Sequence, residues 1–182
     1  MVVCIDSTGS MQPTIDALGA ALGEMVDILD GLSPKMRLAI VHYKECGELG
    51  KTGAKVVQPF SKNIAAAQKE LGDLRAEGGG DLPEAVLGGL EQSLDAKLNW
   101  KKDANKLVVL IGDAPPHPHE RSKVIDLVRA AHDNPGSRGN KPTTGAKVPE
   151  TPFLTSCIGV VVTLEGKLKD QPGYREFVDS QK

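Results

Sequence analysis

Apolar positions along this chain follow two rhythms. Met1–Ile5, Arg37–Tyr43, Lys55–Phe60 and Lys106–Ile111 are short runs rich in apolar and β-branched residues, and read as strands. Pro13 to about Leu29 follows a different rhythm, with Ile15, Leu18, Leu22, Met25, Val26 and Leu29 three and four positions apart. That spacing predicts a helix, with Pro13 in its first turn and Gly31 and Pro34 stopping it. Asn63–Leu74, Pro83 to about Leu98 and Ser122–His132 also read as helices. Gly47, Gly50 and Gly53 predict a hairpin loop between the second and third strands, and Gly78-Gly79-Gly80 breaks the chain before Pro83. Further on, Asn134–Pro152 reads as a long exposed loop, Phe153–Leu164 as containing another strand, and Tyr174–Lys182 as a helix cut off by the chain end.

Strands therefore alternate with helices. The runs beginning near Val2, Leu107 and Cys157 are almost continuously apolar, as expected of strands buried on both faces. The predicted fold is α/β: a doubly wound, Rossmann-like, mostly parallel sheet with helices on both faces. Residues 1–182 suffice for a single domain with a full core. The first apolar run starts at Met1 with no leader, and the last helix is cut, so the expectation is a piece of a longer protein, truncated at its ends. Folds of this kind bind ligands beyond the carboxyl ends of the strands, where the winding direction reverses. Two strands here run into aspartate, at Ile5-Asp6 and at Ile111-Gly112-Asp113.

Composition removes several classes of function. A net charge of −2 with no basic stripe argues against nucleic acid as the main partner. Aromatic residues are 3% of the chain, too few for a platform on which bases or sugars stack. No apolar run is long enough to span a bilayer. Cys4, Cys46 and Cys157 are odd in number and lack CxxC spacing, which argues against a disulfide framework or a structural zinc site. Cys4 and Cys157 lie inside apolar runs and read as small core residues.

Candidate chemistry gathers after the first strand, in Asp6-Ser7-Thr8-Gly9-Ser10. The carboxylate of Asp6 and the hydroxyls of Thr8 and Ser10 alternate, so a curled loop can turn three oxygens to one side. Oxygen-only donors suit a hard cation such as Mg²⁺. Neutral hydroxyls leave part of the ion's charge uncancelled, free to attract an outside carboxylate.

Asp6-Ser7-Thr8-Gly9-Ser10-Met11 resembles the D-x-[ST]-G-S-M form of the metal-ion-dependent adhesion site of von Willebrand factor A domains. Gly78-Gly79-Gly80-Asp81-Leu82-Pro83-Glu84-Ala85 resembles that family's second metal loop, and Leu107–Asp113 with Ala114-Pro115-Pro116-His117 its third. The three segments come in the family's order, and the resemblance covers nearly the whole chain. It implies one antiparallel edge strand, here Lys55–Phe60. It also implies direct metal ligation by the hydroxyls of Thr8 and Ser10, with Asp6 and Asp113 as the carboxylates. The implied ion is Mg²⁺, with Mn²⁺ or Ca²⁺ as substitutes. The implied partner is a protein ligand whose exposed acidic side chain takes the last coordination position. In the second loop, where many relatives have Thr, this chain has Gly80 and Asp81. Asp81 is assigned as the ligand there, although two residues before Pro83 it also suits a helix N-cap. With Asp6, Asp81 and Asp113 together, the site should hold its cation more firmly and attract a partner's carboxylate less.

Other signals are weaker. His117 and His119 form an H-x-H pair that can bind zinc, but in a Pro-rich stretch with no Cys nearby in sequence they read as an exposed loop. His42 and His132 read as structural or solvated. Gly50-Lys51-Thr52 lacks the glycine a phosphate-binding loop needs five residues earlier, where Glu45 stands, and it leads into a strand. The expectation is a metal-dependent binding module rather than an enzyme. The alternatives are a phosphatase-like metal hydrolase with Asp6 as nucleophile, and a scaffold whose metal site has decayed. Such hydrolases want a second Asp two positions on, where this chain has Thr8.

Overall fold

A computed structural model describes residues 1–32, 35–80, 83–101, 104 and 106–133. Its strands are β1 (Val2–Asp6), β2 (Leu38–Tyr43), β3 (Ala54–Ser61) and β4 (Val108–Ile111), in the spatial order β3-β2-β1-β4. β1 pairs in parallel with both β2 and β4, with Cys4 opposite Val41 on one side and Leu110 on the other. β3 runs antiparallel to β2 at the edge. Pro59 is tolerated there because an edge strand leaves one side of its backbone unpaired.

β1 is buried throughout and β4 nearly so, which explains the unbroken apolar runs beginning near Val2 and Leu107, and β2 is likewise fully buried. Side chains alternate across the sheet. Val3, Ile5, Leu38 and Ile40 pack with Ile15 and Leu22 of α1 (Gln12–Leu32) and with Ala67 and Leu71 of α2 (Ile64–Asp73). Val2, Cys4, Ala39 and Val41 face the other way, against Val86, Leu90 and Leu94 of α3 (Val86–Leu94) and Leu127 of α4 (Arg121–Asp133). The sheet is thus covered by helices on both faces. The chain leaves β1 toward β2 and β3, then returns to place β4 on the opposite side of β1. The winding reverses between β1 and β4, so the mixed, doubly wound α/β architecture is the one expected, with β3 as its antiparallel strand.

Two local features differ from the expectation or sharpen it. The helix expected from Pro83 to about Leu98 is shorter: α3 starts at Val86, and Asp95 separates it from a single 3₁₀ turn at Ala96–Leu98. Its first residues are drawn away by tertiary bonds. The Glu84 N–H donates to the Pro115 carbonyl at 3.0 Å and the Ala85 N–H to that of Lys44 at 3.0 Å. The β2–β3 connection is the glycine-rich hairpin. Gly53 has φ +64°, and a Cβ there would lie 2.6 Å from that of Ala85, so both conformation and close approach demand glycine. The loop, strand and helix expected beyond Asn134, and Cys157 with them, lie outside the described residues.

Candidate metal centre

Asp6 ends β1 at the point of reversal and is fully buried, as is Ser7. Three backbone bonds curl the following loop. Ser7 N–H donates to Tyr43 O at 2.9 Å, Gly9 N–H to Gly78 O at 3.2 Å, and Glu77 N–H to Ser7 O at 3.1 Å. Met11 closes the curl by inserting into the α1–α2 side of the core, where it has no exposure. The curl brings Thr8 back on Asp6. Both the backbone N–H and the hydroxyl of Thr8 donate to Asp6 Oδ1, at 2.8 and 2.7 Å. Among the described residues the other oxygen, Oδ2, has no partner, and it is buried. An acceptor left in that state costs roughly 1–3 kcal/mol.

Asp113 follows β4 across the reversal and is also buried. Its charge reaches Asp6. Burial first, and then Asp113, push the Asp6 carboxyl up to about 6 against the pull of the two Thr8 bonds and of Lys44. Ser10 lies exposed in the 3₁₀ turn Gly9–Met11, and among the described residues no hydrogen bond ties it to the cluster. Asp81 lies outside the described residues.

Glu84 is the acidic residue that sequence reasoning missed. It is 4% exposed, and its buried Oε2 has no partner among the described residues. Burial pushes its carboxyl up to about 8, helped by the charges of Asp6, Glu45, Asp113 and Glu48. The second glycine-rich loop brings it close to Thr8. Gly79 has φ +74°, and a Cβ there would stand 2.9 Å from Thr8 Cβ and 3.2 Å from Glu84 Oε1. The available signal was an acid immediately after Pro83 and three residues after Asp81, read instead as a first-turn helix residue.

These shifts have a defined sign. An acid whose folded pKa is raised stabilises the fold below its ordinary pKa, and that contribution is lost as pH rises through the folded value. His42 and the Met1 amino group, both lowered chiefly by burial, to about 4 and about 6, act in the opposite sense. A comparison with Glu84→Gln cancels those contributions. The metal-free parent should lose stability relative to Glu84→Gln as pH rises from about 5 to about 8, by up to about 1.4 kcal/mol per pH unit. Urea denaturation of both proteins in chelator checks this. A difference that does not change with pH would show that Glu84 titrates normally.

His42 is structural, as expected. The Ser7 hydroxyl bonds its Nδ1 at 3.0 Å and the Tyr43 carbonyl at 3.2 Å. One hydroxyl proton cannot serve both, so with it on the carbonyl, Nδ1 of the neutral ring is the donor. Lys51 and Thr52 lead directly into β3. Cys4 is a core residue, and Cys46 is an exposed free thiol. His117 departs from the expected exposed loop. It is half-buried, with Nε2 3.0 Å from Glu45 Oε1, whereas His119 is exposed.

The donor set suits a hard divalent cation. It consists of oxygens, it lies where the winding reverses, and among the described residues one buried oxygen of Asp6 and one of Glu84, beside the set, are unsatisfied. No family model matches the chain. Two curated proteins are similar in sequence. Alpha-protein kinase vwkA of Dictyostelium discoideum is 26% identical over 131 residues, 69% of this chain and 20% of that protein. A putative ariadne-like RING finger protein, R811, of Acanthamoeba polyphaga mimivirus is 30% identical over 118 residues, 64% of this chain and 11% of that protein. The chain thus spans a fifth or less of the curated relatives it matches. Among solved structures, the pilus adhesin SpaC of Lactobacillus rhamnosus GG, in its open conformation, superimposes with a TM-score of 0.50 at 23% identity. That likeness covers 63% of this chain and 14% of SpaC, and it concerns the fold. Among the described residues no helix is long and apolar enough to cross a membrane.

Proposed function

We propose that this chain is a non-catalytic, divalent-cation-dependent protein-binding module of the von Willebrand factor A type. The observation that carries the reading is the juxtaposition of Asp6, with Thr8 folded back on it, and Asp113 across the winding reversal, leaving Asp6 Oδ2 buried and unpartnered. In this reading Asp6, Thr8, Ser10 and Asp113, with Asp81 from the second loop, hold Mg²⁺, or Mn²⁺ or Ca²⁺ in its place. The ion supplies a positive charge to which an acidic side chain of a protein partner binds. Thr8 fixes the Asp6 carboxylate through two hydrogen bonds, so its free oxygen has a set direction. The curl held by Gly78 and Met11 presents Ser10 at the surface, where a partner reaches the site. The small shares of vwkA and R811 that match this chain fit a module carried within larger proteins.

Capture of proteins on the immobilised chain, with Mg²⁺ or with excess chelator, tests the reading. A partner retained with Mg²⁺ and released by chelator is expected. Retention that ignores the chelator would count against it and favour a scaffold that binds through its helix faces.

A further inference from the structure

A second cluster lies in the hairpin after β2 and the loop after β4. We propose that Glu45, Cys46 and His117 form a separate site for Zn²⁺. Such a site is distinct from the hard-cation site. Its donors are one carboxylate oxygen, one thiol sulfur and one imidazole nitrogen, all within 4.8 Å of one another. Mixed sulfur, nitrogen and oxygen ligation suits zinc, whereas Mg²⁺ and Ca²⁺ take oxygens.

The geometry is braced from several directions. Glu45 Oε1 is 3.0 Å from His117 Nε2 and accepts from the Cys46 N–H at 2.6 Å. The hairpin is closed by Lys44 N–H on Gly53 O at 2.9 Å and Gly47 N–H on Gly50 O at 3.1 Å. Segment 84–85 ties the two loops together, through Pro115 O and Lys44 O, and Glu120 N–H holds the His117 carbonyl at 2.8 Å. Independent of this bracing, the second oxygen of Glu45 is buried and has no partner among the described residues, as has one oxygen of Glu120 beside the loop. Tetrahedral zinc, with bonds of roughly 2.0–2.3 Å, sets its ligands roughly 3.3–3.6 Å apart. The Glu45–His117 pair is already near that spacing, and Cys46, exposed at the rim, closes the remainder by rotating its side chain.

Zinc replaces the His117 Nε2–H···Glu45 Oε1 contact: the neutral ring carries its proton on Nδ1 instead and ligates through Nε2, and Cys46 ligates as thiolate, releasing one proton to solvent. Three protein ligands leave the fourth position to water.

Cobalt substitution reads the site directly, because a thiolate on Co²⁺ gives a near-ultraviolet charge-transfer band that oxygen ligands do not. The reduced full chain should bind one Co²⁺ with this band, Zn²⁺ should displace it, and excess Mg²⁺ should not. Cys46→Ser, at an exposed position, should abolish the band while the circular dichroism stays that of the parent. His117→Ala should weaken Co²⁺ binding at least tenfold. Three results overturn the proposal: no band in the parent, a band that survives Cys46→Ser, or an unchanged affinity in His117→Ala.

Discussion

Mg²⁺ or Mn²⁺ at a hundredfold excess over its Kd should raise the melting midpoint of chelator-treated protein by about 5–10 °C near neutral pH. The cause is the state of the site without an ion. Asp6 carries a buried oxygen with no partner, Glu84 carries another, and the charge of Asp113 bears on both residues. An ion that binds only the folded chain relieves that repulsion, and at this excess the linkage amounts to about 2.7 kcal/mol. Protons compete for the same oxygens. Glu84 is pushed up to about 8 and Asp6 to about 6, so the increase should shrink as pH falls through both values. Differential scanning calorimetry over a pH series measures both effects. A midpoint indifferent to metal throughout would remove the basis for a cation at this site.

Asp6→Asn should abolish that increase and weaken Mn²⁺ binding by more than the roughly 10–100-fold typical of losing an outer-shell partner. Asparagine keeps an oxygen to accept from Thr8 N–H and Oγ1. It removes the buried charge but places an NH₂ group where Oδ2 has no partner. Relief of the charge and the cost of an unsatisfied donor are each on the order of 1–3 kcal/mol and oppose one another. The metal-free variant should therefore melt within a few degrees of the parent, which separates loss of metal from loss of fold. Metal-dependent stabilisation in Asp6→Asn equal to that of the parent would show that Asp6 is not part of the site.

β1 and β4 were legible in the sequence because one is buried on both faces and the other nearly so, which leaves an unbroken apolar signature. Asp6, Thr8 and Asp113 were legible because their positions follow from strand ends and a spacing of two. Two features were not. Periodicity extends α3 back to Pro83, but the N–H groups of Glu84 and Ala85 are taken by carbonyls of Pro115 and Lys44, partners distant in sequence. That same displacement takes Glu84 out of a helical first turn and buries it beside Thr8 and Gly79. The Glu45–His117 pair is separated by 72 residues. His117 has no cysteine near it in sequence, and only the packing of the hairpin against the loop after β4 supplies Cys46.

In the proposed function an ion held here carries the attraction for an acidic group. Calorimetric titration of the chelated parent with Mn²⁺, followed by acetate at saturating metal, tests it most directly. One Mn²⁺ per chain should bind at this site, absent in Asp6→Asn, and acetate binding should appear only once the ion is in place. Acetate that binds equally with and without Mn²⁺, or Mn²⁺ binding unchanged in Asp6→Asn, would contradict it.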